Sequence, residues 1–178
     1  GVEVIHLGHN RSVKEIVDAA IQEDAQGIAI SSYQGGHLEF FKYMVDLLKE
    51  GHADHIKVFG GGGGVIVPEE IKELAVYGVA RIYTPEDGTR MGLQGIINHM
   101  VQLMDYSRAD GANLDLSGLT PDNKLRVANL ITALEQAKAK ENGHLAKFRQ
   151  ALKARIGERK IPVIGITGTG GAGKSSLT

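Results

Sequence analysis

The feature that most constrains this chain is a repeated phrase. A short apolar run ends in glycine, and a helical stripe follows. Val2 to Leu7 reads as a strand ending at Gly8, His9, Asn10 and Arg11. Ser12 is placed to cap a helix, with Glu15 at the capping-box spacing. Val13, Ile16, Val17, Ala20 and Ile21 continue as one helical face. Gly27 to Ser32 is the next strand, followed by Gly35, Gly36 and a helix bearing Leu38, Phe41, Val45 and Leu48. Ile56 to Phe59 is a third, closed by an unbroken glycine run from Gly60 to Gly64. Pro68 stands where a first helical turn begins, with Ile71, Leu74 and Ala75 continuing it. Val79 to Tyr83 is a fourth strand, and 84–88 reads as a loop. Leu93, Ile96, Ile97, Met100, Val101 and Met104 then make a long apolar helical face. This strict alternation predicts an α/β domain, a parallel sheet with helices on both faces.

Residues 106–119 read as a boundary. Thr120 and Pro121 predict a helix start, and Asn142 with Gly143 a break between two apolar stripes. One stripe is Val127, Leu130, Ile131 and Leu134; the other is Leu145, Phe148, Leu152 and Ile156. An αα-hairpin connector is therefore expected. Ile161 to Ile166 reads as a strand opening a new domain. The expected division is 1–105, a first domain lacking its first strand; 106–160, the linker with its hairpin; and 161–178, the start of a second domain. The opening directly in a strand and the stop at Thr178 suggest an internal piece of a longer polypeptide.

The most specific local signal lies at the far end. Gly168 to Ser175 fits G-x-x-x-x-G-K-S/T and follows the apolar run Pro162 to Ile166. Gly168, Gly170, Gly171, Ala172 and Gly173 let backbone N–H groups curl around phosphates. Lys174 places charge on the outer phosphates, and the Ser175 hydroxyl ligates Mg²⁺, with Ser176 beside it. This predicts a P-loop nucleotide site. The loop alone does not separate GTP from ATP.

A second constellation follows from topology. Ligands of open parallel sheets bind at the carboxyl ends of the strands. Here those ends carry Ser31, Ser32, Tyr33 and Gly35; Gly60, Gly61 and Gly62; and Thr84 with Pro85. Glycines there allow backbone to approach a ligand closely.

At these positions a resemblance becomes specific. Ser31 to His37 resembles the S-x-L…G-H segment of the cobalamin-binding domains of acyl-CoA mutases. The glycine run with Val65, Ile66, Val67 and Pro68 is similar to their G-G-V-I-P segment, and Ile82 to Pro85 to their last-strand signature. The resemblance covers about residues 1–105. It implies a flavodoxin-like fold that binds cobalamin base-off, its dimethylbenzimidazole tail beside the serine and glycine loops. Tyr33 stands where most members have Leu, and the glycine run is longer than their usual pair. The family's D-x-H-x-x-G motif, source of the cobalt-ligating histidine, belongs to a position before Gly1. His6 and His9 follow a different strand and read as ordinary histidines; His37 is expected to cap or pack at its helix start.

Joined to a P-loop, this module resembles the fused isobutyryl-CoA mutase family. That resemblance implies adenosylcobalamin, GTP and Mg²⁺ as cofactors. It also implies an acyl-CoA substrate held by a domain outside this sequence, and a GTPase that serves as the mutase's chaperone. The implied reaction interconverts isobutyryl-CoA and butyryl-CoA through radicals, with no catalytic residue in this stretch. A homodimer and a cytoplasmic location are expected. The alternative is a non-enzymatic cobalamin-binding regulatory module coupled to a P-loop NTPase.

Composition agrees with these expectations. A net charge of −1 and 42% hydrophobic residues fit a globular chain with no bulk attraction to nucleic acid or anionic membrane. Without cysteine there is neither a disulfide framework nor a thiolate metal site.

Overall fold

The structure is a computed structural model that describes residues 2–33, 35–106, 116–139 and 144–157. Its elements are α1 (Val13–Gln22), β1 (Gly27–Ser31), α2 (His37–Glu50), β2 (Lys57–Gly61), α3 (Pro68–Tyr77), β3 (Arg81–Tyr83), α4 (Pro85–Met104), α5 (Lys124–Ala139) and α6 (His144–Ile156). The strands form a parallel sheet in the order β1-β2-β3. Ile28 pairs with Val58, and Gly60 with Ile82.

Alternation along the strands divides the side chains between two faces. On one face, Ile28, Val58 and Ile82 join Val17 of α1, Phe41, Met44 and Leu48 of α2, and Leu74 of α3 in the main core. On the other, the end of α4 reaches back over the sheet. The Met104 thioether lies directly over Gly27, and the Tyr83 hydroxyl meets His99 Nδ1 at 2.8 Å. The Tyr106 hydroxyl, just past α4, lies within hydrogen-bonding distance of the carbonyls of Gln26 (3.0 Å) and His55 (2.9 Å), which fixes that end beside β1. Helices thus cover both faces, as the alternation predicts.

The helix starts obey local chemistry. Ser12 caps α1: its hydroxyl accepts the Glu15 N–H at 3.2 Å, and the Glu15 carboxylate accepts the Ser12 N–H at 2.9 Å. Pro68 and Pro85 occupy first turns, where the missing N–H costs nothing.

The structure corrects three expectations. Val2 to Leu7 forms no strand. A strand needs a partner backbone, and these residues pair with none among those described; Val4 is 79% exposed. The sheet therefore has three described strands rather than four. Residues 85–88 are not a loop but the first turn of α4, capped by Thr84, whose hydroxyl accepts the Asp87 N–H. The break in that helix comes later, at Gly92 (φ 66°, ψ 170°), a conformation closed to most side chains. Finally, Thr120 and Pro121 lie in a turn. Helix α5 begins at Lys124, and the Asn123 side chain accepts the Arg126 N–H at 3.0 Å.

Two helices, α5 and α6, occupy the stretch where the hairpin is expected, with Leu130 and Phe148 buried. It is not a free tether: α5 packs on α1, bringing Lys124, Val127, Ala128 and Ile131 to Gln22. Arg155 of α6 donates to the carbonyls of Leu116 (2.5 Å) and Leu119 (3.0 Å). The break expected at Asn142 and Gly143 lies outside the described residues, as do the strand and phosphate loop expected within 161–178.

Candidate functional site at the strand ends

The three strands end on the same edge, and their loops touch. The Ser32 N–H donates to the Gly61 carbonyl at 2.7 Å, which extends the β1–β2 ladder by one bond. A β-carbon at Gly62 would run into the Ser32 carbonyl oxygen, so the two loops approach as closely as backbones can. One at Gly63 would meet the Tyr33 ring at 2.9 Å, and one at Gly64 would meet Pro85 at 3.4 Å. Gly63 also needs φ +57°, a left-handed conformation. The loops after β1, β2 and β3 thus form one continuous surface.

Each residue singled out at these strand ends has a definite place. Ser31 closes β1, exposed and paired in register with Gly61. Ser32 is half-buried. Tyr33 is 69% exposed, its ring over Gly63. Gly35 is exposed, with open space on its β-carbon side. Thr84 and Pro85 open α4. The glycines differ among themselves. Gly60 is buried, and its missing side chain makes room for Phe41 and Ile82, each 2.5 Å from where a β-carbon would sit. Its role is therefore in packing. Gly61 is half-buried, and a β-carbon there would meet only the Tyr83 carbonyl at 3.7 Å, an ordinary contact. Neither packing nor backbone geometry requires glycine at that position.

Two residues that the sequence did not mark as a pair join this surface. His37, the first residue of α2, is buried (8% exposed), and its Nε2 lies 2.8 Å from Glu70 Oε2. The same carboxylate oxygen accepts the Val67 N–H at 2.9 Å. That amide first and His37 second hold the Glu70 carboxyl below the ordinary glutamate range. A glutamate two residues after the proline of a first turn was the available sequence signal.

Behind the site, Asp87 is buried between Arg81 (3.0 Å) and Arg90 (2.8 Å) and accepts the Thr84 N–H at 3.2 Å. Burial pushes its carboxyl up, but that N–H and the two guanidinium groups outweigh it and hold the carboxyl below the aspartate value. Among the described residues, no cluster of side chains is arranged to hold a metal ion. No described helix is long and apolar enough to cross a membrane. The nucleotide site expected at Gly168, Gly170, Gly171, Ala172, Gly173, Lys174, Ser175 and Ser176 lies outside the described residues.

A parallel sheet with its serine and glycine loops gathered at one edge defines a ligand-binding α/β domain of flavodoxin-like type. The chain belongs to the B12-binding domain family, which matches residues 1–93. Along its whole length it is similar to the fused isobutyryl-CoA mutase of Cupriavidus metallidurans (60% identical, covering 16% of that protein) and to that of Geobacillus kaustophilus (58%, covering 17%). Over 48% of its length it is similar to the 2-hydroxyisobutanoyl-CoA mutase small subunit of Aquincola tertiaricarbonis (35% identical, covering 63% of that protein). The chain thus spans about a sixth of the length of the fused mutases it matches. Cobalamin is the ligand that this class of domain takes.

Proposed function

We propose that this chain is the cobalamin-binding portion, with the connector to a GTPase, of an adenosylcobalamin-dependent acyl-CoA mutase that interconverts isobutyryl-CoA and butyryl-CoA. The observation that carries the reading is the joined surface of the three strand-end loops in a B12-binding domain. The similarity to fused mutases along the whole chain supports the wider assignment.

The residues fit such a ligand. At Gly61 no side chain blocks the approach of a flat ring. Tyr33 and Val65 offer exposed apolar surface, and the exposed Ser31 stands at the strand end beside Gly61. An aromatic tail with polar substituents needs apolar walls and a few placed polar groups. Ser31, Ser32, Tyr33, Gly35 and Gly60 to Gly62 would hold that tail, with Thr84 and Pro85 closing the third side. When bound, adenosylcobalamin supplies the radical chemistry; this chain's residues bind it and orient it. The cobalt-ligating histidine belongs to sequence preceding Gly1 in the full-length protein, and the acyl-CoA to another domain. GTP or GDP with Mg²⁺ would occupy the phosphate loop, where the GTPase serves cofactor loading or protection. A homodimer in the cytoplasm completes the proposal.

The test is a titration of the full-length protein with adenosylcobalamin, read by absorbance, followed by an isobutyryl-CoA isomerisation assay. Saturable base-off binding with turnover is the expected result. Binding without turnover of any acyl-CoA points instead to the regulatory module. No binding removes the site assignment.

A further inference from the structure

We infer that Glu70 is a positioning residue that clamps the β1–α2 loop to the β2–α3 loop and so fixes the spacing of the two loops that receive cobalamin. The ligand half of this inference rests on the reading above; the clamp itself does not.

The geometry is specific. One oxygen, Glu70 Oε2, takes both hydrogen bonds, from His37 Nε2 at 2.8 Å and from the Val67 N–H at 2.9 Å. His37 ends the first loop, directly after Gly36 (φ +83°), and Val67 ends the second, directly before Pro68. At the opposite end the same loops are tied by the Ser32 N–H to the Gly61 carbonyl. Tyr33 to Gly36 and Gly62 to Ile66 therefore lie between two ties. Their glycine content makes them costly to order, because glycine loses more backbone freedom than any other residue. A tie at each end removes much of that freedom before a ligand arrives, which lowers the ordering cost of binding. The tie is also sheltered: His37 is 8% exposed and the Glu70 side chain 27%. Hydrogen bonds to an ionised carboxylate are stronger than neutral ones. Glu70 remains ionised because those N–H groups favour its charged form.

The experiment uses the full-length protein and two independent readings. Amide hydrogen exchange over 62–67 reports the clamp without cofactor, and absorbance titration with adenosylcobalamin reports its effect on binding. In Glu70→Ala, exchange there should quicken and affinity fall about tenfold, the scale of a lost charge-assisted hydrogen bond. Glu70→Gln, whose amide oxygen still accepts, should recover most of both. Tyr77→Phe, which removes the 2.9 Å bond to Asp46 away from the loops, is the control for general destabilisation. Unchanged exchange in Glu70→Ala overturns the clamp, as does an affinity loss no larger than that of a Tyr77→Phe variant with the same melting temperature. Failure of the wild type to take up adenosylcobalamin overturns the site reading instead, and the exchange measurement still decides the clamp.

Discussion

Gly62 faces the carbonyl oxygen of Ser32 so closely that a single methyl group on Gly62 would force the two loops apart. Gly61, one residue earlier, has room for that methyl group. The two neighbours therefore separate loop geometry from ligand approach. Gly62→Ala should lower both stability and cobalamin affinity, because backbone must move. Gly61→Ala should leave the melting temperature nearly unchanged and still weaken adenosylcobalamin binding at least about tenfold, the scale of one misplaced group in a closed pocket. Calorimetry and absorbance titration of both variants check this, and full affinity in Gly61→Ala would remove that residue from the site.

Ser31 and Ser12 make a second contrast. Ser12 caps α1, far along the chain from the strand-end loops, and Ser31 lies at the strand end. Ser12→Ala should cost about 1 kcal/mol of stability and leave binding alone. Ser31→Ala should do the reverse, weakening cobalamin binding by about 1–3 kcal/mol if its hydroxyl meets the buried tail. Equal losses of affinity from both would mark general destabilisation.

Asp87 sets an acid limit. Its folded carboxyl is held below the aspartate value of 3.8, despite burial, by the Thr84 N–H and by Arg81 and Arg90. Its contribution is therefore fully present above the unfolded value and is lost as pH falls through the lower folded one. Asp87→Asn should lower stability by about 1–2 kcal/mol at pH 7, since both arginines remain largely solvated. The gap between variant and wild type should close below about pH 4. Thermal melts across pH 2–7 (roughly the span of carboxylate titration) read this directly, and a gap that stays constant to the lowest pH would show that charge has no part in it.

A Lys174 variant tests the proposed nucleotide site apart from the proposed cobalamin site. Lys174→Ala in the full-length protein should abolish GTP hydrolysis, because charge stabilisation dominates phosphoryl transfer. Mutase turnover with preloaded cofactor should largely survive, while loading or long-term protection should suffer. Persisting hydrolysis would remove the phosphate-loop assignment. Immediate loss of turnover with cofactor still bound would show direct coupling.

Much of this was legible in the sequence because it is local. Ser12 with Glu15, Pro68 and the glycines after each apolar run announce caps, helix starts and strand ends through chemistry within a few residues. Less legible were features decided by partners far along the chain. Val2 to Leu7 has the composition of a strand, but pairing is a property of two backbones. Residues 84–88 read as a loop; that Thr84 caps a helix depends on Asp87, which Arg81 and Arg90 hold in place. The five consecutive glycines look alike in sequence. Only the positions of Phe41, Ile82, Ser32 and Tyr83 separate the first three: Gly60 serves packing, Gly62 serves loop contact and Gly61 is sterically free. His37 and Glu70 are far apart in sequence, and their pairing depends on how α2 and α3 stand side by side.

The outer side of β1 bears on how the protein can be handled. Among the described residues β1 has a strand neighbour only in β2, which leaves its other edge without a described strand partner. Near the start of the sequence, Val2, Val4 and Ile5 also expose apolar side chains. Such an edge is a template for intermolecular pairing, and apolar extended segments are the ones that use it. Produced as an isolated piece, residues 1–178 should therefore self-associate at high concentration. Charged replacements at Val4 and Ile5 should improve solubility, leaving the strand-end loops untouched.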